Sequence, residues 1–346
     1  MLYVGSMRTD AAEPTLSKTE KERQKPVGCR ISLNLTGKEP LLRLQYMKLT
    51  NINLVRSIME EHHLQFNKQF GQNFLVNEAI PRRIAEECGA KADSGILEIG
   101  PGIGTLTCEL AQRYRRVTAV EIDRKLIPVL ADTLAEYDNV HVIQSDILKV
   151  NIPELLAEEF GSMPVSVCAN LPYYITTPIL MRLLESGAPF DYITVMVQKE
   201  VADRITAKPG DAGYGAVTAS VSYYGKAESL FCVSAGSFMP APKVDSAVLR
   251  IALYKDPPVA VRDKGLLFRV IRSAFAQRRK TLLNSMASEF SELTKDQLAA
   301  VLRAADCQPT VRGETLSVAD YARIADALCA YADEASDGNS GDRSAT

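Results

Sequence analysis

The stretch Gly95-Ile-Leu-Glu-Ile-Gly-Pro-Gly-Ile-Gly104 decides how this chain folds. A short, mostly apolar run passes directly into three glycines at alternate positions, and an apolar helical pattern over 104–114 follows. That order predicts a strand over 95–99, a tight turn and a helix. Gly100, Gly102 and Gly104 let the backbone turn sharply and approach a ligand, while the amino end of the helix offers N–H groups. The loop by itself fits a nucleotide or nucleoside, and it fits an unliganded strand-to-helix turn as well.

Working outward, strands are predicted at 117–120, 140–143, 165–169 and 192–197, separated by helices at 124–137, 152–160 and 178–186. Strands alternating with helices build a parallel sheet covered on both faces. The runs 226–233 and 244–253 then follow one another as strands with no helix between, which predicts an antiparallel edge. The expected fold class is α/β, a Rossmann-like, mostly parallel seven-stranded sheet. Upstream, helices are predicted over 53–63 and 77–88, with a loop over 67–73. Beyond Pro257 and Pro258 the pattern is helical only, to about 332. The expected division is a Rossmann-like domain at 47–255, a small all-helical domain at 256–333, and disordered ends at 1–46 and 334–346. Met47 opens the structured part and is a candidate start.

A chain of 346 residues can bury one large core and a smaller one. No apolar run approaches the roughly 18–20 residues that span a bilayer. The seven cysteines are scattered, without a CxxC pair or a Cys/His cluster of zinc-site spacing, so a reducing cytoplasm and no metal are expected. The formal charge of −2 gives no support for a nucleic-acid partner, so any such surface must come from local clustering.

Glu121 ends the second strand about 20 residues after the first loop glycine, where a carboxylate accepts hydrogen bonds from both hydroxyls of a ribose. NAD and S-adenosylmethionine share that ribose, so Glu121 does not separate them. Asp146, after the third strand, either accepts from the adenine amino group of such a cofactor or caps the next turn. The fourth strand runs into Asn170-Leu-Pro-Tyr173. An exocyclic adenine nitrogen is a poor nucleophile because its lone pair is delocalised into the ring. Two acceptors draw it toward tetrahedral geometry: the Asn170 side-chain oxygen and the Leu171 carbonyl, with Pro172 fixing where that carbonyl points. Tyr173 is placed to stack on the base. No strong general base is needed, because the amine becomes acidic only once alkylated and releases its proton to water. The three histidines, His62, His63 and His141, lie in no motif. The same four residues also suit a turn leading into a helix with Thr177 and Pro178 at its start.

The segments Gln69-Phe-Gly-Gln-Asn-Phe-Leu75, Glu98 to Gly104, Asn170 to Pro178 and Phe238-Met-Pro-Ala-Pro-Lys-Val-Asp-Ser246 resemble those of the KsgA/RsmA ribosomal RNA adenine dimethyltransferases, over nearly all of 53–330. The resemblance implies a class I methyltransferase fold. It implies that Asn73, Leu75, Gly100, Glu121, Asp146 and Asn170 contact S-adenosylmethionine, with Gln72, Gly102 and Gly104 nearby. It implies too that Phe238 packs against the target adenine opposite Tyr173; a core role for Phe238 is the alternative.

Residues 262–280 carry Arg262, Lys264, Arg269, Arg272, Arg278, Arg279 and Lys280 against the single acid Asp263, with apolar residues at helical spacing. Such a segment can dock on its domain and present cations to RNA phosphates, or form a solvated face. Arg269, Arg272, Arg278, Arg279 and Lys280 are the candidate RNA contacts. Ala274 to Asn284 and Arg312-Gly-Glu-Thr-Leu-Ser317 also resemble the KsgA/RsmA helical domain, which favours a small-subunit over an Erm-type 23S substrate. The implied substrate is two adjacent adenines in the terminal hairpin loop of 16S RNA in a preassembled small subunit, and the protein is expected to be monomeric. An NAD-dependent dehydrogenase fits the glycine loop but leaves Asn170 without a role. A non-catalytic ribosome-assembly factor is the other alternative.

Overall fold

The computed structural model describes residues 49–64 and 72–340; the expected disordered start at 1–46 lies outside them. The helix α1 (Ile52–Glu61) begins where Asn51 accepts hydrogen bonds from the backbone N–H groups of Asn53 and Leu54. It is followed by β1 (Phe74–Leu75) and α2 (Ala79–Glu87). The central unit is then β2 (Gly95–Ile99), α3 (Thr105–Ala111), β3 (Arg116–Glu121), α4 (Leu126–Thr133), β4 (Val140–Gln144), α5 (Ile152–Phe160), β5 (Val165–Asn170), α6 (Thr176–Glu185) and β6 (Phe190–Gln198). Strands β4, β3, β2, β5 and β6 lie side by side in that order, all parallel.

Two further strands, β7 (Gly225–Val233) and β9 (Ser246–Leu253), complete the seven-stranded sheet. β9 lies between β6 and β7 and is antiparallel to both. The parallel sheet with an antiparallel edge is therefore as the sequence predicts. Successive residues of the strands serve opposite faces. Ile96, Cys168 and Met196 join the core under α1 to α4, whereas Leu97, Val167 and Val195 join the core under α5 and α6.

Two helices escape the sequence reading: α7 (Lys199–Ile205) and α8 (Ala216–Tyr224). The reason is visible in α8. Val221 faces the sheet core, while Ala219 and Tyr223 face the core of the carboxy-terminal region, so no polar stripe marks it as a helix. The short β8 (Phe238–Met239) pairs antiparallel with β1, Leu75 opposite Phe238. Two-residue strands carry no readable period.

The carboxy-terminal region is helical, with α9 (Lys264–Ala276), α10 (Leu282–Met286), α11 (Lys295–Ala304) and α12 (Val318–Ser340). Asp263 caps α9, and Thr294 and Gln297 form a reciprocal capping box on α11. Helix α12 continues to Ser340, past the point where the sequence reading places the tail. The helical region is stitched to the sheet domain through the loop before α8. Gly210 N–H donates to the Glu314 carbonyl at 2.8 Å, and the buried Tyr214 hydroxyl donates to the Leu316 carbonyl at 2.8 Å. Tyr224 stacks on Phe268 with centroids 5.5 Å apart.

Removing the Tyr214 hydroxyl leaves the Leu316 carbonyl buried without its donor. Tyr214→Phe is expected to cost about 1–2 kcal/mol, read as a lower midpoint in thermal unfolding. A midpoint equal to that of the unmodified protein would mean that this bond does not hold the seam.

Candidate active site

The strand order reverses between β2 and β5, since the chain proceeds outward from β2 to β3 and β4 but crosses back for β5 and β6. Helices therefore diverge there and leave a crevice at the carboxyl ends of the strands. A cavity occupies that crevice. Its walls are the glycine loop with Glu98, the end of β3 with Glu121 and Ile122, the segment Asn170 to Tyr174, and the arm Gln72 to Leu75.

The loop is built by left-handed glycines: φ is 67° at Gly100, 63° at Gly102 and 89° at Gly104. Gly102 lines the cavity and donates its N–H to Glu121 Oε2 at 3.3 Å. Gly104 does not face the cavity: a Cβ there would meet Leu134 and Thr133 at 3.1–3.2 Å, so it serves the packing of α3. Glu121 Oε1 accepts from Asp123 N–H at 2.8 Å, and Asp123 Oδ2 accepts from Gln72 Nε2 at 2.9 Å. One carboxylate thus ties the glycine loop to β3, and its neighbour Asp123 ties both to the amino-terminal arm. Burial pushes the Glu121 carboxyl up to about 7, against the opposing effect of these two N–H donors.

Glu98 was quoted in the loop motif but given no role by the sequence reading. It is 1% exposed, lines the cavity, and its Oε2 has no hydrogen-bond partner among the described residues. Burial drives its carboxyl up to about 8; the Thr107 hydroxyl opposes the shift and the charge of Glu121 adds to it. The Thr105 hydroxyl, also on the cavity wall, is buried and unpartnered among the described residues. A carboxylate in a strand whose five positions are all buried was the signal available in sequence. Ile122 and Tyr174 were also missed; both line the cavity with large apolar surfaces, 42% and 59% exposed.

Asn170 sits at the last position of β5, with its Nδ2 directed at the Asn73 carbonyl at 3.5 Å. No donor meets its Oδ1 among the described residues. Leu171 N–H is committed to the Met196 carbonyl at 3.1 Å, which fixes the segment to β6. Pro172 is extended (φ −60°, ψ 131°), and its carbonyl accepts from Ile175 N–H and the Thr176 hydroxyl. That leaves the Leu171 carbonyl without a donor among the described residues. Tyr173 is half-buried, its hydroxyl 2.6 Å from Ser246 Oγ on β9.

Gln72, Asn73, Leu75, Gly100, Gly102, Glu121 and Asn170 to Tyr173 therefore come together, whereas Gly104, Asp146 and Phe238 do not line the cavity. Asp146 caps the turn after β4, accepting from Leu148 N–H at 3.1 Å, although its charge reaches Tyr174, whose hydroxyl is pushed up first by burial and then by Asp146. Phe238 is 4% exposed and packed in the core beside β1; the β1–β8 ladder holds it there, so its ring presents no face to a base in this structure.

The basic segment also differs from expectation. Helix α9 ends at Ala276, so Arg278, Arg279 and Lys280 lie on the turn before α10. Arg269 is clamped by Glu289 and Glu292 and covers the Phe290 ring. Arg278 is held by Glu314 and the Ala212 carbonyl across the domain seam. Arg272, Arg279 and Lys280 are exposed and carry no ion pair among the described residues. Counting cations in a sequence does not show which are already spoken for.

Residues 63–328 match the ribosomal RNA adenine dimethylase family. The ribosomal RNA small subunit methyltransferase A of Streptococcus sanguinis is 47% identical over 285 residues, which cover 82% of this chain and 98% of that one. The protein of the same name from Geobacillus thermodenitrificans is 47% identical over 276 residues, 79% of this chain and 94% of its own. Among solved structures, a dimethyladenosine transferase from Plasmodium falciparum shares the fold at a TM-score of 0.62 and 24% identity, covering 72% of this chain and 95% of that one. The 23S rRNA methyltransferase ErmE superimposes at a TM-score of 0.57 with 27% identity, over 74% of this chain and all of its own. The sheet order, the glycine loop and the extent of these matches agree: the chain belongs to the ribosomal RNA adenine dimethylase family.

Proposed function

We propose that this protein transfers methyl groups from S-adenosylmethionine to the N6 amino groups of two adjacent adenines in the terminal hairpin loop of 16S RNA, within the small ribosomal subunit. The observation that carries the reading is the pair of acceptors without a donor among the described residues, Asn170 Oδ1 and the Leu171 carbonyl, on the wall of a crevice also lined by Glu121. Relatives 47% identical carry the name of a small-subunit enzyme, whereas ErmE, named for 23S RNA, is 27% identical; that difference supports the small subunit. A monomeric, cytoplasmic protein goes with this reading. Among the described residues no helix is long and apolar enough to cross a membrane.

The residues fit the donor. Each Glu121 oxygen accepts one backbone N–H and keeps lone pairs for a ribose hydroxyl. Glu98 Oε2 and the Thr105 hydroxyl are buried polar atoms that lack partners among the described residues, and a ligand's ammonium group supplies a donor to Glu98. Ile122 and Leu126 offer apolar surface to a purine, with Asn73, Leu75 and Gly100 closing the wall and Asp146 beyond Tyr174. Bound here, S-adenosylmethionine supplies an electrophilic methyl group. Asn170 and Leu171 each accept one hydrogen of the adenine amino group, which aims its lone pair, and Pro172 holds the Leu171 carbonyl in place. Tyr173, held by Ser246, offers a ring against the base. The N–C bond forms as the C–S bond breaks, and the proton leaves to water. The protein contributes orientation and exclusion of water rather than acid–base chemistry. Phe238 supports this site from beneath, by pairing with Leu75. Within the basic segment, Arg272, Arg279 and Lys280 are available to RNA phosphates, while Arg269 and Arg278 brace the surface that presents them.

Incubating undermethylated small subunits with labelled S-adenosylmethionine is expected to yield dimethyladenosine at two positions; its absence would overturn the proposed reaction. Asn170→Ala should lower turnover by about 10²-fold and leave binding to small subunits mostly intact, and near-normal turnover would sink the role given to Asn170. Reversing the charge of Arg272, Arg279 and Lys280 together should weaken binding to small subunits and flatten its salt dependence; unchanged binding would remove that turn from the RNA surface. Glu98 gives a pH test. Its folded-state value of about 8 is above the ordinary carboxyl value, so the native state holds the proton more tightly than the unfolded chain. The stability this contributes is complete in acid and is lost as pH rises through about 8. Glu98→Gln should therefore raise the thermal midpoint relative to the unmodified protein at pH 8.5 by about 3 °C or more while changing it little at pH 5. Equal effects at both values would show that Glu98 ionises normally.

A further inference from the structure

At the opposite end of the sheet from the cavity, a groove of about 860 Å³ runs between the sheet domain and the helical region. Its floor is made by the start of β6, the residues after β9 and the turn before β2. The groove is distinct from the catalytic crevice: β6, nine residues long, separates the two ends of the sheet by roughly 25–30 Å.

Its charge departs from that of the whole chain, which is −2. Lys91, Lys255 and Lys264 stand on the lining, all exposed and none in an ion pair among the described residues. Asp191 is the one acid among the described residues of that lining. Aromatic surface is interleaved with these cations. Tyr254 is 43% exposed, Tyr192 is partly exposed, and the Lys264 ammonium lies 4.8 Å from the centre of the Tyr224 ring. The Tyr224 hydroxyl is buried with no partner among the described residues, a donor that an incoming oxygen would satisfy.

Unpaired lysines alternating with accessible tyrosine rings match a ligand that alternates phosphates with planar bases. An acidic peptide would satisfy the lysines but would leave the rings without a stacking partner. We propose that this groove is a second RNA-binding site, which holds a single-stranded segment of RNA through phosphate contacts to Lys91, Lys255 and Lys264 and stacking on Tyr254. The proposal rests on the ribosomal RNA reading of the catalytic site, and it adds an anchoring surface remote from the reacting base. A substrate that engages both surfaces must present RNA at two ends of the sheet, which a large folded RNA does and a short hairpin does not.

The test uses the full-length protein and a short fluorescein-labelled single-stranded RNA, titrated by anisotropy across a salt series. It is run in a background with Arg272, Arg279 and Lys280 already reversed in charge, so that the groove is read apart from that turn. Adding Lys91→Glu and Lys255→Glu is expected to weaken binding about tenfold or more and to reduce the slope of log K against log salt by about 1.4. Tyr254→Ala should weaken binding without changing that slope. These surface variants leave the catalytic crevice intact, and binding of S-adenosylmethionine by the groove variants in calorimetry, in the otherwise unmodified protein, should match that of the unmodified protein. Unchanged affinity and slope in the charge-reversed variant would overturn the proposal. Unchanged RNA affinity with weakened binding to whole small subunits would also overturn it, assigning the groove to a ribosomal protein. Failure of the unmodified protein to methylate undermethylated small subunits would count against the catalytic reading and leave the groove measurement standing.

Discussion

A buried carboxylate at the tip of β3 organises everything that happens at the crevice. Parallel strands end there with their carbonyl groups and helix amino ends exposed, and a loop left to itself at such a place has many conformations. Glu121 removes that freedom by taking Gly102 N–H on one oxygen and Asp123 N–H on the other, and Asp123 then takes Gln72. The glycine loop, the end of β3 and the amino-terminal arm are pinned through two acids two positions apart. The cost is that Glu121 is desolvated and its ionisation is displaced to about 7. The two backbone donors lower that cost, and a bound diol would lower it further by adding hydrogen bonds to the charged form.

The framework was legible because its signals are local and periodic. Each parallel strand announces itself by a mostly apolar run of four to six positions, and the glycine loop fixes where the crevice must open. Helix α8 was not legible, because burial on two sides erases the polar stripe on which a helix is recognised. The β1–β8 pair was not legible either, since register between two-residue strands 163 positions apart, Leu75 and Phe238, leaves no trace in composition. For the site, Asn170 to Tyr173 could be placed at the crevice directly, because the four positions are contiguous and follow the end of a strand. Phe238 was placed against the base on resemblance and is found in the core, where only tertiary pairing could have put it.

The basic segment shows a different limit. Sequence supplies the sign of a charge but not its partner. Arg269 and Arg278 were grouped with Arg272, Arg279 and Lys280 because all five lie within twelve residues. Folding separates them by what each can reach: Glu289 and Glu292 in one case, Glu314 and the Ala212 carbonyl in the other. The planar, multidentate guanidinium suits such bracing. Arg278 joins a loop of the sheet domain to the turn before α12, so the part it plays in the proposed RNA surface is geometric. It sets where the neighbouring free cations stand relative to the crevice.

The chemistry proposed for the crevice explains why two poorly ionising acids are tolerable beside it. A reaction that depended on a general base would need a group poised near neutral pH and in contact with the reacting proton, and carboxyls at about 7 and 8 would then be candidates. Neither belongs to the Asn170–Tyr173 segment. Glu121 is engaged by backbone donors, and Glu98 lies in the strand beneath the glycine loop. The acceptors at Asn170 and Leu171 are neutral amides, which aim an amino group without competing for its proton. Negative charge is therefore kept at the donor-binding wall, where a cationic ligand favours the ionised forms, and neutral acceptors are kept where the nucleophile enters. That separation lets one crevice attract a positively charged methyl donor and still leave the incoming amine unprotonated and free to attack.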